Sequence, residues 1–134
     1  MAEKFNSLTV LMVSDLARSQ SFYRDVLGFN VTDWWAERGG LNGIALKLFQ
    51  AADPADVRPN RPPAGGGYAV DVQVYTNTWA QLDALYEEFR SKGAVVAVEP
   101  VIYTDGGPWK EFVIMDTDGY HFAFGGTEGK EGEA

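Results

Sequence analysis

The chain has 134 residues, with 11 Lys and Arg against 19 Asp and Glu, and a formal net charge of −8. This length fits one ordinary domain, and the acidic balance argues against a nucleic-acid-binding protein, which needs cations to displace counterions from phosphates. There is no cysteine and only one histidine, His121, so disulfides, thiolate metal sites and metal sites with several histidines from one chain are excluded.

The first half of the chain predicts one strand, one helix and then further strands. Residues 8–13 form a short apolar run of strand length. Apolar side chains then recur at helical spacing between a cap candidate, Asp15, and a terminating glycine, Gly28. Residues 29–35 and 43–49 are predicted as strands, with a glycine-containing turn between them. The order is therefore strand–helix–strand–strand, with room for one more short strand.

The second half repeats this order. It follows a connector at 51–67 that is rich in proline and glycine. Residues 68–75 alternate with a period of two, as a strand does, and apolar side chains at 79–89 form one helical stripe. Three more strands are predicted at 95–103, 111–115 and 120–124. We therefore expect a single domain over 1–126, built from two similar modules at about 5–53 and 67–126.

Outside these modules, the sequence predicts neither a membrane segment nor a leader. No apolar run reaches the roughly 18 residues that a membrane helix needs. The first residues lack the basic-then-apolar order of a signal peptide, so we expect a cytoplasmic protein without membrane partners. Residues 127–134 include three Glu and one Lys and show no apolar periodicity, which predicts a flexible acidic tail.

Several motifs resemble those of the vicinal-oxygen-chelate superfamily, which includes glyoxalase I, extradiol dioxygenases and bleomycin-resistance proteins. Residues 15–29, DLARSQSFYRDVLGF, are similar to its opening helix. Residues 116–122, DTDGYHF, resemble its Asp-Pro-Asp-Gly turn and last strand, with Thr117 in place of the proline. Helix residues 82–89 and the segment 108–112, PWKEF, look like the bleomycin-resistance branch, although the branch's glycine after Trp109 is missing.

The resemblance implies an α+β fold in which two βαβββ modules form a curled mixed sheet around a cup. It also implies a homodimer with two equivalent crevices. Superfamily enzymes usually hold a divalent metal through His, Gln or Glu side chains. Aligned on the motifs, those positions fall at Leu8, Ala69 and Ala123, and near Leu46. Aliphatic side chains have no lone pairs to donate, so we expect no metal, no other cofactor, and neither glyoxalase nor dioxygenase chemistry.

The cup offers a binding surface instead. If Leu8, Ala69 and Ala123 point inward, strand alternation brings Val10, Asp71, Gln73 and His121 inward as well. Aromatic side chains near strand ends can stack on a flat ligand, and Asp71 could pair with a ligand cation. The candidate ligand-binding residues are Trp34, Trp35, Asp71, Gln73, Tyr103, Trp109, Phe112 and His121. Trp34 and Trp35 are neighbours on a predicted strand and should point to opposite faces, so one of them is expected to be a core or interface residue.

The resemblance to the drug-sequestering branch thus implies metal-free binding of a small aromatic or cationic natural product, as in antibiotic self-resistance. Alternatively, the same cup holds a lyase, isomerase or cyclisation catalyst that uses His121 or Asp71 as its acid or base. A third interpretation is a relative whose cup has collapsed. Two local alternatives also stay open: a hydrogen bond between Asp71 and Gln73, and an exposed ion pair between Lys110 and Glu111.

Overall fold

A computed structural model describes residues 3–66, 69–105 and 107–129 of the chain, which divides into two compact units, 1–58 and 59–134. Within the described part of the chain, no helix is both long and apolar enough to cross a membrane. Most of the predicted tail, residues 130–134, lies outside the described residues, and so does Tyr68, where a strand was predicted to begin.

Unit 1 is one helix with a four-stranded mixed sheet. Its elements are β1 (Thr9–Val13), α1 (Leu16–Asp25), β2 (Asn30–Thr32), β3 (Trp35–Arg38) and β4 (Ile44–Gln50), with single 3₁₀ turns at Gly40–Asn42 and Pro54–Asp56. The strand order is β1-β4-β3-β2, with β1 parallel to β4 and the other pairs antiparallel.

The ends of α1 follow from its sequence as predicted. The Asp15 carboxylate accepts the backbone N–H of Arg18 at 3.1 Å, which caps the first turn. At the other end, Gly28 adopts a positive φ of 72°, which lets the Phe29 N–H donate to the carbonyl of Tyr23 at 2.9 Å. The Tyr23 side chain is fully buried, so the apolar face of α1 lies in the core of unit 1.

The single strand predicted at 29–35 is wrong, because the chain turns back at Asp33 and Trp34. Asp33 has a positive φ of 51°, a conformation that aspartate tolerates better than most residues. The Gln20 side chain donates to the Asp33 carbonyl at 2.7 Å and holds this two-residue turn. The break produces β2 and β3, and with them the additional short strand for which the sequence left room.

Unit 2 repeats the architecture of unit 1. Its elements are β5 (Val72–Tyr75), α2 (Trp79–Ser91), β6 (Val95–Tyr103), β7 (Trp109–Met115) and β8 (His121–Gly126). The strand order is β5-β8-β7-β6, with the first strand of the unit again parallel to the last. The predicted internal repeat and the α+β class are therefore confirmed. The strand predicted from residue 68 begins only at Val72.

The core of unit 2 is a set of rings between α2 and its sheet. Phe112 stacks on Phe124 with 5.3 Å between ring centroids, and it meets Tyr86 and Phe89 of α2 edge-on at 5.2 and 6.4 Å. Phe112 is fully buried there. The prediction of Phe112 as a ligand contact is therefore wrong, because its side chain faces α2.

The Tyr86 hydroxyl donates a hydrogen bond to Glu99 of β6. This bond raises the pKa of Tyr86 above its ordinary value, since an ionised Tyr86 would lose it and repel the carboxylate.

Asp71 ties the connector to the start of β8. Its Oδ1 accepts the backbone N–H of Asn60 at 2.7 Å, and its Oδ2 accepts the backbone N–H of His121 at 2.8 Å. The backbone N–H of Asp71 in turn donates to the His121 carbonyl at 2.9 Å. One carboxylate therefore satisfies two backbone donors that are far apart in sequence.

We expect Phe112→Ala to lower the free energy of unfolding by about 3–5 kcal/mol, because it removes a buried ring and leaves a cavity under α2. Chemical denaturation measures the change. Ile102→Ala is the matched control: Ile102 is 49% exposed, and its truncation should cost less than about 0.5 kcal/mol. Equal losses in the two variants would contradict the assignment of Phe112 to the core.

Asp71→Asn should destabilise the protein by about 1–3 kcal/mol, because an amide NH₂ would then face one of the two backbone N–H groups. Thermal or urea unfolding provides the measurement, and Asp105→Asn, at an exposed position, is the control with little expected change. An Asp71→Asn protein as stable as the control would show that the carboxylate does not hold the connector.

Candidate functional site

The sheet of unit 2 has one face under α2 and one face turned away from it. Strand alternation and register place on the second face the side chains that are out of phase with Phe112. We call this the distal face of unit 2, and it carries Gln73, Tyr75, Tyr103, Trp109, Glu111, Val113, Met115, His121, Ala123 and Gly125. Four of the predicted binding residues, Gln73, Tyr103, Trp109 and His121, are thus brought to one face.

The Trp109 ring lies across β8 at Gly125, and only glycine leaves room for the ring at this position. A Cβ added at Gly125 would meet the indole Nε1 and Cε2 of Trp109 at 2.8 and 2.9 Å, closer than real Cβ contacts. Beyond Gly125 the indole meets Tyr75 edge-on, with 5.5 Å between ring centroids. The two rings form an aromatic corner whose outer member, Tyr75, is 73% exposed.

A buried carboxylate orients the indole. The Nε1–H of Trp109 donates to Oε1 of Glu111 at 3.1 Å, and Nε2 of Gln73 donates to the same oxygen at 3.2 Å and to the Ala123 carbonyl at 3.4 Å. Glu111 is only 7% exposed. Hydrogen bonds to an ionised acceptor are stronger than neutral ones, so this network restricts the indole plane more than packing alone would.

Both local alternatives left open by the sequence are wrong. Gln73 bonds to Glu111, and the oxygens of Asp71 accept backbone N–H groups. Lys110 points to the α2 side, where its Nζ lies 2.6 Å from the Asp83 carboxylate and 5.7 Å from the centroid of the Trp79 ring.

Sequence reasoning missed Tyr75 and Glu111 as site residues. Tyr75 follows Gln73 at a spacing of two, and Glu111 follows Trp109 at the same spacing. Strand alternation therefore contained the signal for both, because residues two apart share a face.

His121 and Asp71 do not form an acid–base pair. The Nδ1 of His121 is buried, and no hydrogen-bond partner for it lies in the part of the chain that the structure describes. Asp71 bonds to the His121 backbone, not to its ring. A catalytic histidine is commonly oriented by an acceptor on its second nitrogen, and the described residues do not provide one to Nδ1.

In unit 1, Trp34 and Trp35 lie together. Trp34 belongs to the turn between β2 and β3 and is 47% exposed, whereas Trp35 opens β3 and is half-buried. Their rings meet edge-on at 6.1 Å, and the Nζ of Lys47 lies 5.4 Å from the centroid of the Trp34 ring. The premise that both tryptophans lie on one strand is wrong, because the chain turns at Trp34.

The positions that hold the metal in enzymes of the resembled superfamily do not fit a metal here. Leu46, Ala69 and Ala123 are buried aliphatic residues, and Leu8 is half-buried. In the described ranges, no group of three or more His, Asp or Glu side chains is placed to hold an ion. Hydrocarbon side chains do not donate electron pairs, so these residues cannot coordinate a metal ion.

Comparison with solved structures identifies known proteins that have the same fold. A glyoxalase/bleomycin resistance protein/dioxygenase from Alicyclobacillus acidocaldarius is 16% identical, with 91% of this chain and 92% of that chain covered and a TM-score of 0.68. UcmS2 is 18% identical, with 92% and 98% covered and a TM-score of 0.65. TioX from Micromonospora sp. ML1 is 16% identical, with 88% and 95% covered and a TM-score of 0.60. At these identities the likeness shows the fold alone.

A search of curated proteins found no match to this chain. A sequence model of one superfamily, by contrast, matches residues 4–124, which is nearly the whole chain. The match includes both units, each with its strand–helix–three-strand order. The chain therefore belongs to the Glyoxalase/Bleomycin resistance protein/Dioxygenase superfamily.

Proposed function

We propose that this protein binds and sequesters a small planar aromatic or cationic compound, such as an antibiotic, without a metal and without altering the compound. The observation that carries the proposal is the aromatic corner of the distal face, where Trp109 lies over Gly125 between Tyr75 and Glu111. Tyr103 is the cross-strand partner of Trp109 and is 40% exposed, which extends the ring surface toward β6.

Exposed rings of this kind suit a flat ligand. Aromatic side chains bury a large area and have few torsions to restrict, so they add affinity at low entropic cost. Because the Trp109 indole already bonds to Glu111, little orientation is lost when a ligand stacks on it.

The charge of the protein supports a cationic ligand in particular. The net charge of −8 favours approach of cations, and the distal face has a buried carboxylate, Glu111, beside the indole ring. Ring faces attract a cation by their own charge distribution as well. A planar ring that bears a positive charge would be attracted both by the Glu111 carboxylate and by the faces of the aromatic rings.

The proposal also includes homodimerisation, which the superfamily resemblance favours, and a cytoplasmic location. Acid–base catalysis by His121 or Asp71 stays the alternative prediction. Under sequestration, a compound incubated with the protein is recovered unchanged by chromatography and mass spectrometry. Protein-dependent conversion that is lost in His121→Ala would instead establish the enzymatic alternative.

Trp109→Ala should weaken binding of a planar cation such as proflavine by about 1–3 kcal/mol, the range of a buried aromatic anchor. Isothermal titration calorimetry measures the dissociation constant. Val95→Ala is the matched control, since Val95 is an exposed apolar residue at the end of β6 opposite to Tyr103. This variant should leave the affinity unchanged. The proposal fails if Trp109→Ala and Val95→Ala bind proflavine as tightly as the natural protein does.

Gly125→Ala should weaken proflavine binding nearly as much as Trp109→Ala, because its methyl group would occupy the space of the indole. Gly65→Ala provides the control, as nothing lies within 4 Å of a Cβ at that position. Both variants are compared by the same titration at a temperature where circular dichroism shows them folded. If Gly125→Ala binds proflavine as tightly as the natural protein does, the position of Trp109 over Gly125 has no role in binding.

A further inference from the structure

We infer that unit 1 carries a separate site for the carboxylate of an aromatic compound, formed by Lys47, Trp34 and Trp35. The site lies on the sheet face turned away from α1. It uses none of the residues of the aromatic corner in unit 2, so it does not rest on the proposed function.

The strand register decides which residue of β4 reaches this face. The resemblance places a metal position of the superfamily near Leu46, but Leu46 is fully buried on the same side as Leu48. Its neighbour Lys47 therefore points the other way. Lys47 is the register partner of Val10 in β1 and of Trp35 in β3. Val10 is 50% exposed, so this face is accessible.

Lys47 thus places a cation on this face. An ammonium group repels a divalent ion and attracts an anionic oxygen. The face is therefore suited to the oxygen of an acid.

The surroundings of Lys47 favour an aromatic acid over a simple anion. Its Nζ lies over the Trp34 ring at 5.4 Å, and the Trp34 ring meets that of Trp35 edge-on. In the described segments, no carboxylate pairs with this ammonium, whereas Lys92 and Lys110 pair with Glu88 and Asp83. A carboxylate bound at Lys47 would bring the ring that bears it against these tryptophans.

The test compares 2-naphthoate with 2-naphthamide, which has the same ring system and no charge. The natural protein should bind naphthoate at least about ten-fold more tightly, since a hydrogen bond to a charged group contributes more than a neutral one. Lys47→Met keeps most of the aliphatic stem and removes the charge, so it should bring the ratio of the two affinities close to one. Lys92→Met removes a paired, exposed lysine and should keep the full ratio.

Three results would overturn the inference: no measurable naphthoate binding, equal affinity for the two compounds in the natural protein, or an unchanged preference in Lys47→Met. Trp109→Ala separates this site from the aromatic corner. It should leave naphthoate binding intact while it weakens proflavine binding. Lys47→Met should weaken naphthoate binding and leave proflavine binding intact. A failure at one site is therefore distinguishable from a failure at the other.

Discussion

The candidate site of unit 2 depends on one close approach, that of the Trp109 indole to the backbone of β8 at Gly125. Any other residue there would place a Cβ within 3 Å of the ring. Because the position is glycine, the indole lies low enough to donate its N–H to Glu111 and to meet Tyr75 edge-on. A single missing side chain thus fixes the orientation of the largest ring on the distal face.

Charge distinguishes the two sheet faces that are turned away from the helices. In unit 2 the face includes a buried carboxylate, Glu111, which accepts hydrogen bonds from Trp109 and Gln73. In unit 1 the corresponding face includes an ammonium, Lys47, beside two tryptophans. The superfamily fold is retained, but the residues at the positions where the resemblance places a metal are aliphatic. Binding by rings and fixed charges takes the place of binding by a Lewis acid in the functions proposed here.

Much of the fold could be predicted because its signals are local. A cap at Asp15, a glycine at position 28 and the apolar stripe of α2 each act within a few residues, and the structure confirms all three. The turn at Asp33 was missed because it contains no glycine or proline. Only the tertiary bond from Gln20 shows how that turn is held.

Which way the strand residues face was harder to predict. β4 and β7 carry apolar side chains on both faces, so alternation of polarity does not reveal which face meets the helix. Phe112 was therefore predicted as a ligand contact, and Lys47 was overlooked. The partners of Lys110 and Asp71 lie 27 and 50 residues away, and only the folded chain brings such groups together.

The most direct test of ligand binding at the aromatic corner is a ¹H–¹⁵N spectrum of the tryptophan indole groups during titration with a planar aromatic cation. Four indole N–H signals are expected from the four tryptophans, and Trp109→Phe assigns one of them. Binding at the corner predicts that the Trp109 signal shifts most, while that of Trp79, which donates to the Gly126 carbonyl on the α2 side, stays nearly in place. A Trp109 signal that does not move while the ligand binds elsewhere would contradict the central claim.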